Sequence, residues 1–420
     1  MIVLGKQKIT GWIAVSFSIY LCIIFVYLFF LYEATVPSHY IGTAADPGVF
    51  LSEQEFAQAE QYGKIRNFLL LLEVTLEWIF YYLQFLYIAA RWESQARKIS
   101  RWRVIRYAIV TFFFSLTSFV VFFPIRFARY YFSQQYGISV QSFPSWLKDR
   151  GIDFLLSWLV LFLIVAIFYW LIRKSERRWW FYAWLLAIPV ALCMMVIQPV
   201  LIDPLYNEFS PLKNEVLEKK ILHLAEESGV PADRVYEVSI SGKTNAFNAY
   251  VTGVGSSARI VLWDTTLERL EEDEILFIMA HEIAHYVEKH VYIGMAAYLL
   301  LGLVLLFCLN TLLQIMQKKG WIPTYRSMAT FPLILLIFSM LTFVARPLEN
   351  AFSRHLEWRA DRYAIELTEN VDAGISAFQK MARAGLSETY PPVIIKWLRY
   401  THPSIADRIT YIQYDQTGDE

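Results

Sequence analysis

The chain has 420 residues, of which 56% are hydrophobic and 18% charged, against roughly 25% charged in an ordinary soluble domain, so much of it must lie out of water. Its 38 basic and 38 acidic residues cancel to a formal net charge of zero, which gives no electrostatic footprint for a nucleic-acid partner. The three cysteines, Cys22, Cys193 and Cys308, all fall in apolar runs, and no zinc knuckle or disulfide framework can be read from their spacing.

Seven apolar segments are long enough to cross a bilayer, which takes about 20 helical residues: 11–32, 67–90, 107–127, 152–172, 179–202, 291–316 and 331–346. The first is too long for a signal-peptide core of about 7–15 residues and has no cleavage site close behind it. The organisation expected is a five-span membrane region over 1–203, then a normally charged segment 204–290. Spans six and seven fill 291–346, and a second charged segment runs over 347–420. An even number of crossings separates the two charged segments, so they share a face of the membrane and can fold together. Loops on one face, including the N-terminus, carry fifteen Lys and Arg, and the short loops on the other carry six. Basic loops favour the cytoplasm, which places the charged segments outside it.

Within the second span Glu73 and Glu77 are one helical turn apart, and Arg126 and Arg129 end the third span on the same side. Ionisable groups inside a membrane are costly and face a cavity or a partner, so these residues line either a water-filled chamber or a dry ion-pair cluster. In the first charged segment NAFNAYV and ARIVLWD read as two short strands of a hairpin. The part from Asn245 through Ala246 and Phe247 to Asn248 is the candidate strand to which a peptide could add.

Next comes IMAHEIAHYVEKH. On a helix His281 and His285 share a face and can hold one zinc ion, with Glu282 beside it as a general base. The alternative is a polar patch at the membrane interface. His290, rotated about 140° from His285 on a continuous helix, should face elsewhere. A third ligand is offered in NAFSRHLEWRADRYA after the seventh span, where Glu357 and Asp361 are i and i+4 with Arg354 one turn before; a solvated helix laced with salt bridges fits that spacing equally.

HEIAH followed two spans later by NAFSRHLEWRAD resembles the type I CAAX prenyl protease family of integral-membrane zinc metallopeptidases. The second motif matches the family's N-x-x-S-R-x-x-E-x-x-A-D pattern at Asn350, Ser353, Arg354, Glu357, Ala360 and Asp361. The resemblance implies a mainly α fold: a seven-helix transmembrane bundle with an α+β, zincin-like metallopeptidase domain at the membrane boundary. It implies one Zn2+ held by His281, His285 and Glu357, with Asp361, Arg354 and Asn350 supporting Glu357. THPSIADR matches a further family element, implying that His402 stabilises the oxyanion and that Arg408 orients it. The expected substrate is a membrane-associated or lipid-anchored peptide or protein. The family's eukaryotic members place zinc on the cytosolic side, whereas the loop charges point outward and suit a bacterial plasma membrane. Other readings of the same motifs are a membrane quality-control metallopeptidase and a non-catalytic scaffold or transporter; a site-2-type intramembrane protease is disfavoured because the histidine helix precedes its span.

Overall fold

The computed structural model describes residues 2–33, 35–252 and 259–417. Seven helices in it are long and apolar enough to cross a membrane: α1 Lys8–Leu31, α2 Glu53–Ile99, α3 Arg103–Gln135, α4 Phe143–Lys174, α5 Trp179–Leu205, α8 His290–Lys318 and α9 Met328–Thr368. They cover the seven segments expected from hydropathy to within one residue, and overrun several of them. The 47 residues of α2 span about 70 Å at 1.5 Å per residue, more than twice a hydrocarbon core of about 30 Å. Helix α9 runs through Pro347 without ending, so the seventh span and the helix bearing Glu357 and Asp361 are one rigid element.

Contacts among the loops define two faces. On one, Glu93 accepts from Ser327 and the Ala329 amide, and Arg326 pairs with Glu176. On the other, the connection after α1 packs onto the peptidase segments. Tyr32 donates to the Tyr390 carbonyl and Tyr390 to that of Ala45, and Ala45 is itself part of the peptidase core. Both charged segments lie on this second face.

The peptidase region holds a four-stranded sheet of β1 Glu208–Pro211, β2 Val235–Ser239, β3 Ala249–Thr252 and β4 Arg259–Trp263 in the order β1-β2-β4-β3. Strands β2 and β4 are parallel, and the other two pairs antiparallel. The expected hairpin is β3 with β4, its register pairing Ala249 with Leu262; its connection, with Gly253 and Gly255, lies outside the described residues. The hairpin's first strand begins at Ala249, so residues 245–248 are not a strand, contrary to expectation. Side-chain hydroxyls take up their backbone groups instead: Thr265 donates to the Ala246 carbonyl, and Thr266 donates to the Asn248 carbonyl and accepts from its amide. Asn245 is anchored on the connection after α3, its amide donating to the Ile138 carbonyl.

Helices α6 Glu215–Glu227, α7 Glu272–Val287, α10 Val371–Gly385, α11 Val393–Arg399 and α12 Ile405–Thr417 complete the region. Helix α7 is its centre. Ile275, Phe277, Met279, Ala280, Ile283 and Ala284 are all buried, packed between the sheet and α9, α10 and α12. A capping box at Glu271 and Glu274 starts it, satisfying amides that would otherwise be left without partners.

Candidate metal centre

His281 and His285 lie one turn apart on α7, and α9 crosses them with Glu357. The ligand atoms of His281, Glu282 and His285 fall within 4.8 Å of one another. His281 Nε2 and His285 Nε2 are 3.2 Å apart; Glu357 Oε2 is 3.3 Å from the first, and Glu357 Oε1 is 3.6 Å from the second. Zinc bonded to nitrogen and oxygen at about 2.0–2.1 Å sets tetrahedral ligand atoms about 3.3–3.4 Å apart. The two nitrogens and the Glu357 carboxylate are therefore gathered at about the spacing that such a site requires. Glu357 is buried, and its Oε2 has no hydrogen-bond partner among the described residues, a costly arrangement for a carboxylate unless a cation meets it. The residues fit zinc.

The outer nitrogens of both imidazoles are engaged. His281 Nδ1 is 2.9 Å from Asp361 Oδ1, and the fully buried Asp361 is clasped in turn by Arg408, whose Nε donates to Oδ2 at 2.9 Å. Arg408 also lies over the Phe378 ring at 4.0 Å. Asp361 thus supports His281 rather than Glu357, and Arg408 supports Asp361 rather than His402. On the other imidazole, His285 Nδ1 is 3.0 Å from His290 Nδ1. This overturns the expectation that His290 faces away. Helix α7 ends at Val287 and Lys289 takes a left-handed conformation, φ 58°, so the chain turns before α8 begins and the continuous-helix rotation does not apply.

Burial works to lower the His281 pKa, but the Asp361 and Glu357 carboxylates outweigh it and lift it to about 9. Burial and the neighbouring His281 push His285 down to about 3, which keeps its Nε2 lone pair free. Burial pushes the Glu282 carboxyl up to about 7, against the pull of His281, a value suited to proton transfer near neutral pH.

A cavity of about 410 Å3 opens over these groups, lined by His281, Glu282, His402 and Arg408, by Phe247 and Asn248 just before β3, and by Ala249 at its start. His402 Nε2 is 3.5 Å from Glu357 Oε1. Asn350 and Arg354 do not reach Glu357. Asn350 donates to the Trp397 carbonyl at 2.8 Å and Arg354 to that of Tyr400 at 2.7 Å, which ties down the segment bearing His402. Of the residues expected at a substrate strand, Phe247 and Asn248 line the cavity, and β3, one of the sheet's two edge strands, follows them directly. Sequence reasoning did not single out Arg66, Arg399 and Tyr400, which line the same cavity; the last two stand just before His402 in LRYTHP.

A family model described as Peptidase family M48 matches residues 211–416, and one described as CAAX prenyl protease N-terminal, five membrane helices, matches residues 45–208. The uncharacterized metalloprotease YhfN of Bacillus subtilis (strain 168) is 44% identical over 97% of this chain and 98% of its own. The chain belongs to the type I CAAX prenyl protease family. Other members include the CAAX prenyl protease 1 homolog of Dictyostelium discoideum, 32% identical over 61% of this chain and 62% of its own. The crystal structure of S. mikatae Ste24p covers 97% of this chain with 98% of its own at a TM-score of 0.74 and 21% identity, which shows the same fold. This member of the family is a multi-pass membrane metalloprotease, and the family implies zinc as its metal.

Proposed function

We propose that the chain is a zinc endopeptidase in which one Zn2+ is held by His281, His285 and Glu357 at the membrane boundary. The observation that carries this reading is the convergence of these three side chains: the two Nε2 atoms 3.2 Å apart, Glu357 Oε2 3.3 Å from His281 Nε2 and Glu357 Oε1 3.6 Å from His285 Nε2. The chemistry a zinc ion supplies when bound by such a set is Lewis acidity, which polarises a peptide carbonyl and makes water nucleophilic at neutral pH. Glu282 takes the proton from the attacking water and passes it to the leaving amine. His402, in the cavity wall, donates to the oxygen on which charge develops. Asp361 and Arg408 hold His281 in the tautomer that presents Nε2, while Asn350 and Arg354 hold the segment carrying His402. The edge of β3, with Asn248 at its start, takes the peptide as a further strand, binding mainly through backbone and so with broad sequence tolerance.

The substrates are membrane-associated or lipid-anchored peptides and proteins. Support comes from an apolar cavity of about 1040 Å3 between α1 and α2, closed by Ile394, Ile395 and Leu398 of α11. The residues that follow on the same segment, Arg399 and Tyr400, line the catalytic cavity, so a lipid chain in the first would sit beside a peptide in the second. Several relatives are named CAAX prenyl proteases, and a prenyl chain suits that apolar cavity.

The test is cleavage of plain and prenylated peptides by purified protein beside Glu282→Gln, with zinc quantified in both. One zinc per chain in each and a loss of about 10²–10⁴-fold in rate for the variant is the expected outcome. Equal cutting by both, or zinc in neither, refutes the reading.

A further inference from the structure

His285 lines a second cavity, of about 620 Å3, which adjoins the catalytic one at Asn248. Tyr250, Val251 and Thr252 carry the edge strand β3 along it, and the end of α5 supplies a further wall. Pro199 and Pro204 have no amide to donate to a helix ladder. Helix α5 accordingly ends in a π-helical turn over Gln198–Ile202 and a 3-10 turn over Asp203–Leu205. Asp203 stands in the cavity lining at that irregular end.

Acids elsewhere near this boundary are answered by cations. Glu73 and Arg129 pair at 2.5 Å in a cavity of about 580 Å3, whose lining omits Glu77. Asp153 pairs with Arg150 at 2.8 Å, and Asp149 with Lys243 at 2.9 Å. Asp203 differs. It is the one carboxylate in its cavity's lining, and no lysine or arginine stands with it there. Its carboxylate has no ion pair or hydrogen bond among the described residues. The hydroxyl of Tyr206, in the same lining, donates to Asp153 instead, at 2.5 Å. Trp263, Tyr286 and Tyr292 add further ring faces. A carboxylate without a partner among aromatic rings suits an ammonium or guanidinium, which both attract.

Strand geometry relates this cavity to the substrate. Strand β3 runs from Ala249, in the catalytic cavity, to Thr252, in the second. Antiparallel pairing is the more stable kind, and a peptide paired that way runs from Thr252 towards Asn248. Its residues before the scissile bond then lie along the second cavity. The charge of Asp203 reaches this edge: burial and that carboxylate together push the Tyr250 hydroxyl up to about 12.

We propose that Asp203 is a specificity element that selects a lysine or arginine on the N-terminal side of the scissile bond. This rests on the peptidase function proposed above. It sets one position of the substrate apart from the sequence tolerance that backbone pairing gives the others.

The experiment takes a peptide that the full-length parent cuts and maps the cut bond by mass spectrometry. Each residue flanking that bond is then replaced in turn by Lys, Met or Glu. The ratio kcat/KM is measured with the parent, Asp203→Asn, Asp203→Glu and Asp203→Lys. For the parent, one position before the bond should favour Lys over Glu by on the order of 10- to 100-fold, with Met between them. Asp203→Asn should level the three residues there while cutting the Met peptide nearly as the parent does. Asp203→Glu should keep part of the preference, and Asp203→Lys should invert it. A purely structural role would slow every peptide alike in Asp203→Asn and leave the order of Lys over Glu intact, and that result overturns the proposal. So does a parent indifferent to charge before the bond. A preference for Lys found only after the bond overturns the placement. If the parent cuts no peptide while binding zinc, the peptidase function itself fails first, and this inference falls with it.

Discussion

His290 Nδ1 sits 3.0 Å from His285 Nδ1, and His290 is in turn backed by Glu288, 2.7 Å from its Nε2, with Arg359 2.8 Å from the same carboxylate oxygen. A His290 tautomer with its proton on Nε2, towards Glu288, leaves Nδ1 to accept from His285 Nδ1, which turns His285 Nε2 to the candidate metal site. The two imidazoles of the metal centre are therefore supported differently, one by a carboxylate and one by a third histidine.

That difference has a measurable consequence. His290→Ala should weaken zinc binding by about 10–100-fold, the usual scale for a group that orients a metal-ligating histidine, and His290→Gln, which keeps an acceptor, should lose less. Competition with a chelator of known affinity reads this directly. Unchanged affinity in His290→Ala would show that the contact does not orient His285.

Asp361 and Arg408 form a buried ion pair beneath His281. Removing one member leaves the other charge uncompensated, at a cost of about 3–5 kcal/mol. Asp361→Ala should accordingly lower thermal stability as well as zinc affinity, whereas Glu282→Gln should lower neither greatly. Comparing thermal unfolding of the two variants tests the distinction; equal stability would contradict it.

Gly374 of α10 faces Phe277 of α7. A Cβ there would stand 2.5–2.8 Å from the phenyl ring, which is fully buried and packed edge-on against Phe378. Gly374→Ala should therefore cost about 1–3 kcal/mol through overpacking and displace the helix that carries the metal site. Phe277→Leu combined with it should recover part of the loss.

The reading of the sequence succeeded where a pattern is long and failed where geometry turns on one residue. Seven spans could be read because each is a sustained apolar run, and two motifs name His281, His285 and Glu357, which the structure brings together at the candidate site. Strands β1 and β2, four and five residues long, were hidden in PLYNEFSPL and VYEVS, too short to separate from loop. His290 was misjudged because the single left-handed residue Lys289 ends a helix that the sequence leaves free to continue. Asn350 and Arg354 share a face with Glu357 at helical spacing, but their partners are the carbonyls of Trp397 and Tyr400, more than forty residues on. No local pattern encodes such contacts.

Glu274 provides a pH-dependent test away from the metal. Burial raises its pKa, but Lys380, Ser376 and the Glu271 amide outweigh this and hold it below the ordinary value of 4.5. A depressed carboxyl pKa contributes stability above the unfolded value and loses it as pH falls through the folded one. Stability should hence decline below about pH 4.5, and less so in Glu274→Gln, which starts from a lower plateau. Thermal unfolding from pH 7 to pH 3 checks both; parallel profiles would exclude Glu274 as a contributor.

The face on which the metal centre opens follows from which loops meet. Glu93 with Ser327, and Glu176 with Arg326, gather the basic loops on one face; Tyr32 with Tyr390 gathers the first connection and the peptidase segments on the other. Fifteen Lys and Arg on the first face against six in the short loops of the second then favour a cytoplasmic first face and an extracytoplasmic metal centre. Cysteine labelling decides it, since Glu366 and Lys319 are exposed on opposite faces. With the chain expressed in a bacterial plasma membrane, Glu366→Cys should react with a membrane-impermeant maleimide in intact cells and Lys319→Cys only after permeabilisation. The reverse pattern places the metal centre in the cytosol, where it meets substrates before rather than after export.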